Sequence, residues 1–130
     1  MNKTNQGGFT LVEVLTVVVI IGLLAALILG LATNAQKKAA RSKAEAEIGQ
    51  LESFLTDYQM QYGQLPGSGS AQDGNKLKDA LADAKHSLSN FTDPWGREYK
   101  YKRTSKVTFY LWSEGDDPNK SANYIGKPEP

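Results

Sequence analysis

Glu13 is the one ionisable side chain in the run that starts at Phe9-Thr10-Leu11-Val12-Glu13-Val14 and continues to Ala32. A lone carboxylate in hydrocarbon costs on the order of 2.5–3.5 kcal/mol. Such a group calls for a partner, and a cation held in the same apolar surroundings offsets much of that cost. A second group with chemical potential is Ser113-Glu114-Gly115-Asp116-Asp117, an oxygen-rich stretch. Calcium takes about 6–8 oxygen ligands, so this stretch is a candidate cation loop. It is not an EF-hand, because a terminal glutamate at loop position 12 is missing. Lys100, Lys102, Arg103 and Lys106 interleave with Tyr99 and Tyr101. That pattern can bind single-stranded nucleic acid, but a formal net charge of +1 favours a solvated strand face, and no nucleic-acid partner is expected.

Composition excludes several other chemistries. There is no cysteine and only one histidine, His86. A disulfide framework, a thiolate metal site and a Cys–His nucleophile pair are therefore ruled out. No glycine-rich phosphate loop occurs, and no catalytic constellation can be assembled, so an enzyme is not expected. His86 lies off the apolar stripe around it and reads as a surface residue. Trp95 and Trp112 read as turn and core packing.

The elements that must carry these groups follow from hydrophobic patterning. From Val14 to Ala32 only Thr16, Gly22 and Gly30 are not Ala, Val, Ile or Leu. As a helix, Phe9 to Ala32 extends roughly 36 Å, enough to cross a bilayer. No turn signal or small-residue cleavage pattern follows it, so the segment reads as retained rather than as a removed secretory signal. Lys37, Lys38, Arg41 and Lys43 follow the span; by the positive-inside rule alone they would place the rest of the chain in the cytoplasm. Gly22 and Gly30 either weaken the helix locally or allow close helix packing.

The helical pattern then narrows to one stripe: Ala44, Ile48, Leu51, Leu55, Tyr58 and Tyr62. Gly63 and Leu65-Pro66 end it, so the first helix is expected to reach about residue 62. A second helix is expected at about 75–89, with Leu77, Ala80, Leu81, Ala84 and Leu88 on one face. Asn90 to Arg97 is dense in turn residues. Two alternating segments then predict a hairpin at about 98–113, followed by a C-terminal loop. The inward face is left open between Val107, Phe109 and Leu111 and Tyr110 and Trp112. The fold class is α+β, a long helix packed on a small antiparallel sheet.

Gly8-Phe9-Thr10-Leu11-Val12-Glu13 resembles the type III signal of type IV pilins and type II secretion pseudopilins. The resemblance implies a leader at 1–8, cleavage between Gly8 and Phe9 by a prepilin peptidase, and N-methylation of Phe9. It implies an assembly helix at 9–32 and a periplasmic domain at 33–130. Phe9 and Glu13 are then the assembly residues, the carboxylate of one subunit meeting the new amine of its neighbour. Relatives often carry a proline near the position of Gly30.

Asp93-Pro94-Trp95-Gly96, with Ser113-Glu114-Gly115-Asp116 after the next strand, is similar to the C-terminal region of PulG-like major pseudopilins. That likeness implies calcium in the loop, with Ser113 and Asp116 as ligands; Asp117 is added by its chemistry. The loop departs from the family pattern, since Pro118 to Ile125 contains no second acidic pair and adds Lys120, and this favours an ordinary solvated acidic turn over a calcium site, so that no cofactor is expected with certainty. The function implied is a structural subunit of a type II secretion pseudopilus that polymerises to drive protein export. Its partners would be other copies of itself, minor pseudopilins, the prepilin peptidase, an inner-membrane secretion platform, and membrane lipid before assembly. Its location would be the bacterial inner membrane, with the C-terminal domain periplasmic. The alternatives are a type IV or competence-type pilin, and a membrane-tethered binding domain that never polymerises.

Overall fold

The structure is a computed structural model that describes residues 7–130. Of the leader expected at 1–8, residues 1–6 lie outside the described residues. The chain divides into two units, Met1–Lys37 and Lys38–Pro130. One helix, α1 (Leu11–Tyr62, 52 residues), contributes to both.

In the first unit α1 is apolar on every side. Its large apolar side chains from Leu11 to Leu31 are all more than half exposed. A helix apolar all round suits lipid or other helices rather than water. The few hydroxyls here are satisfied within the helix: Thr16 donates to the Val12 carbonyl at 2.8 Å, and Thr33 to that of Gly30 at 3.0 Å. Neither adds an unsatisfied polar group to an apolar setting.

In the second unit α1 buries Ala44, Ile48, Leu51 and Leu55 of the expected stripe, whereas Tyr58 is half-buried and Tyr62 exposed. Its cover comes from α2 (Asp73–Asp83) and from a three-stranded antiparallel sheet of β1 (Lys100–Arg103), β2 (Phe109–Ser113) and β3 (Ile125–Lys127), in that order. Tyr101 faces Leu111 across β1–β2, and Ser113 faces Ile125 across β2–β3. Tyr99, Tyr101, Leu111 and Ile125 join Phe91, Leu65, Leu77 and Leu81 in the core. The inward face is therefore the Tyr101 side of β1, continued by Tyr99 just before it, and the Leu111 side of β2. Val107 lies in the hairpin loop and is exposed.

Two boundaries differ from the sequence expectation. The second helix ends at Asp83 rather than near residue 89. Lys85 is left-handed, with φ 52°. The His86 N–H bonds to the Leu81 carbonyl at 2.9 Å, and the Lys85 N–H to that of Ala82 at 3.0 Å. This is a Schellman stop made without the usual glycine, which is why the pattern concealed it. His86 then sits half-buried, edge-on to Phe54 with ring centroids 5.4 Å apart, rather than freely on the surface. The C-terminal loop is also not all loop, because it contains β3. Three residues with Gly126 in the middle carry too little alternation to announce a strand.

The connection from α1 to α2 is organised by a carboxylate. Asp73 is fully buried and accepts the N–H groups of Ser68 (2.8 Å), Gly69 (2.9 Å) and Arg103 (2.9 Å). Gly67, at φ +101°, faces that carboxylate so closely that a Cβ there would lie 2.6 Å from it. Arg103 returns the connection by bonding the Leu65 carbonyl at 3.0 Å and that of Gly67, while the Tyr101 hydroxyl donates to the Pro66 carbonyl at 2.8 Å. Burial alone would raise the Asp73 pKa. The backbone donors from Ser68, Arg103, Ser70 and Gly69 outweigh it and hold the group below the usual carboxylate value.

A depressed carboxylate contributes stability that is complete above its unfolded pKa, about 3.9, and is lost as the pH falls through the folded value. Asp73→Asn should therefore cost about 1–3 kcal/mol at neutral pH and flatten the acid limb of the stability–pH curve. Denaturant melts followed by tryptophan fluorescence read both effects. By the same method, Lys85→Gly should stabilise the fold by about 1 kcal/mol, because it relieves the left-handed strain at the end of α2.

Candidate assembly and processing site

Gly7, Gly8, Phe9 and Thr10 precede α1 in non-helical conformation and are exposed. The Gly8–Phe9 peptide thus lies in open chain ahead of the helix, and nothing comes within 4 Å of either glycine's Cβ position. Phe9 itself is 90% exposed.

Thr10 and Glu13 meet in a way the sequence reading missed. The Glu13 N–H donates to the Thr10 hydroxyl at 3.2 Å, and the Thr10 N–H donates to the Glu13 carboxylate at 3.0 Å. This is a reciprocal capping box with Thr10 as N-cap. Its signature, Thr-x-x-Glu before an apolar run, was legible in the sequence. The carboxylate of a single subunit is therefore not stranded: it already accepts a backbone donor at the positive end of the helix. Any partner on another chain must compete with that bond.

The Ser113–Asp117 stretch is built differently from a cation loop. Asp93 is buried and receives the N–H groups of Trp95 (3.1 Å) and Arg97 (2.8 Å) on one oxygen and the Ser113 hydroxyl (2.8 Å) on the other. Ser113 Oγ also accepts the Gly115 N–H at 3.1 Å. Asp116 accepts the Asn123 side-chain amide at 2.9 Å. Asp117 accepts the Asn119 N–H at 3.0 Å and lies 3.6 Å from Lys120 Nζ. The Arg97 guanidinium donates to the Gly115 carbonyl and lies 3.7 Å from the Glu114 carboxylate. Each residue that resemblance or chemistry nominated thus has at least one oxygen engaged by a protein donor. No three His, Cys, Asp or Glu side chains cluster to hold a metal among the described residues. This donor set does not fit a bound calcium ion, which needs oxygens free to converge. No local signal marks Arg97 as the residue that reaches Gly115 and Glu114.

Basic and aromatic residues on β1 also have other tasks. Tyr99 and Tyr101 are core residues, Arg103 clamps the α1–α2 connection, and Lys102 pairs with Glu129. The Tyr99 hydroxyl donates to Glu47 of α1; burial, then that bond and the Glu47 charge, raise its pKa. Neither ring is available to stack on a base.

A long helix with an all-round apolar half, a capped Glu13 behind an exposed Gly8–Phe9 bond, and a three-stranded antiparallel sheet define a pilin-like subunit. The chain belongs to the type II secretion system protein G family, whose model matches residues 32–125, and a prokaryotic N-terminal methylation motif matches residues 3–29. It is 33% identical to the type II secretion system core protein G of Aeromonas hydrophila, covering 77% of this chain and 75% of that one. Against the Pseudomonas aeruginosa protein of the same name it is 30% identical, covering 90% of this chain and 88% of the relative. Against that of Escherichia coli K12 it is 31% identical, with 86% and 83% covered. No solved structure gives a significant match. The chain is thus a type II secretion pseudopilin.

Thr10→Ala should remove the acceptor of the Glu13 N–H and weaken the cap by about 0.5–2 kcal/mol. In detergent micelles, amide exchange at Glu13 should then accelerate by roughly 2- to 30-fold, while Thr10→Ser should leave it near the native rate.

Proposed function

We propose that this pseudopilin is a structural, non-enzymatic subunit that polymerises through the exposed apolar half of α1 into a pseudopilus, and that this polymer drives protein export. The observation that carries the reading is Glu13 at the head of a helix whose large apolar side chains from Leu11 to Leu31 have no cover within the chain. Before assembly, lipid covers that surface and the helix serves as an inner-membrane anchor, with residues 33–130 in the periplasm. A prepilin peptidase cuts between Gly8 and Phe9, and the new Phe9 amine is methylated. The amine is then the cation that Glu13 of an adjacent copy requires. Exchange of the Thr10 N–H for a cationic amine strengthens the hydrogen bond at that carboxylate, since charge-assisted bonds are roughly twice as strong as neutral ones.

Minor pseudopilins and an inner-membrane platform complete the set of partners, and family membership supports both. Membership also favours secretion over a type IV or competence pilus. A plain membrane tether has no need of the Glu13 charge, and this separates the two readings. Glu13→Lys should abolish polymer recovered from sheared cells while monomer in the membrane fraction stays at its native level. Polymer at normal yield would refute the reading. Mass spectrometry of the extracted native chain should show an N-terminal peptide beginning at methylated Phe9.

A further inference from the structure

The turn that follows β2 gathers negative charge and buried carbonyls in a small volume. Gly115 is buried, at φ +69°, and its Cβ position points at the Asn123 carbonyl so closely that no side chain fits there. The chain therefore doubles back tightly, Gly115 against Asn123. Glu114, Asp116 and Asp117 crowd the same turn. An arrangement of this kind needs a cation. Asp117 finds one in Lys120, three residues on, at 3.6 Å. The inner side, at Gly115 and Glu114, is too far from Lys120 in sequence to share it by a local pair.

Arg97 meets that need from a different segment. Its backbone is locked on both sides by one residue: its N–H donates to the Asp93 carboxylate at 2.8 Å, and its carbonyl accepts the Asp93 N–H at 2.7 Å. The same carboxylate holds Ser113, which in turn holds the Gly115 N–H. Arg97 thus leaves a fixed turn and meets a fixed loop, and its guanidinium needs little further ordering. It donates to the Gly115 carbonyl, and its buried Nε, which has no hydrogen-bond partner among the described residues, lies 3.7 Å from the Glu114 carboxylate as an ion pair. Guanidinium suits this place because its charge is permanent and it can hydrogen-bond a carbonyl while it stands beside a carboxylate.

We infer that Arg97 is the resident cation of the Ser113–Asn123 loop, serving in place of a divalent metal, so that the loop of this pseudopilin folds and persists without calcium. The oxygens that would otherwise turn toward a metal are satisfied by Arg97, Asn123, Asn119 and Lys120. The clamp belongs to the subunit itself and holds whether or not the chain polymerises.

The test uses the full chain in detergent micelles, with thermal unfolding followed by fluorescence of Trp95 and Trp112. With excess chelator or with excess calcium chloride, the native chain should melt at the same midpoint, and titration calorimetry with calcium chloride should show no binding. A ligand that binds only the folded state must raise the midpoint, so a calcium-dependent rise of several degrees would overturn the inference. In chelator, Arg97→Gln should lower the midpoint by roughly 5–15 °C. Should that variant fail to fold, Arg97→Lys keeps the charge without the fork and should fall by a smaller margin. Either folded variant melting with the native chain would also overturn the inference.

Discussion

Between Phe9 and Ala32 the chain carries a single charge, on Glu13, and the low dielectric of hydrocarbon makes an unpartnered carboxylate expensive. Much of this molecule follows from how that expense is met. In the lone subunit the capping box with Thr10 meets it in part, with a backbone donor and the positive end of the helix. The bond is neutral on the donor side, and so leaves an incentive for a cationic partner. In the proposed polymer, a carboxylate that is partly satisfied alone and better satisfied beside a correctly staggered neighbour would set a register without blocking storage.

The second half of α1 meets the opposite demand. There the helix borders water, and only the stripe from Ala44 to Leu55 is covered. The cover depends on buried polar groups that tie separate segments together. Asp73 joins the α1–α2 connection to β1, Asp93 joins its own turn to β2, and Tyr99 reaches Glu47 on α1. A core this small gains much of its definition from such links, because each leaves at least one donor unpaired if broken. The Arg97 contact belongs to the same class.

Much of this was legible in the sequence because it rests on periodicity. Spacings of three and four residues gave the buried stripe of α1, and alternation gave β1 and β2. The elements that escaped rest on tertiary contacts instead. Lys85 stops α2 in a left-handed conformation that only packing makes tolerable. Gly126 interrupts the short β3. Asp73, at the start of α2, looked like an ordinary turn acid, and nothing local marks it as the anchor of three backbone donors. Resemblance pointed to calcium at Ser113 and Asp116, yet Ser113 is engaged by Asp93 and Gly115, Asp116 by Asn123, and Arg97 reaches Gly115 and Glu114 from another segment. The Thr10–Glu13 box is a different case, since its local signature, Thr-x-x-Glu before an apolar run, is present in the sequence.

The central claim is that the Glu13 carboxylate pairs with the Phe9 amine of another copy. Polymers assembled from equal pools of chains, one labelled with nitrogen-15 at Phe9 and the other with carbon-13 at the Glu13 carboxyl, test it directly by solid-state dipolar recoupling. Neither label has a same-chain partner, so only contact between copies gives a signal. The expected result is dephasing that corresponds to an approach within about 4 Å. Full-length polymers without any such coupling would contradict the claim.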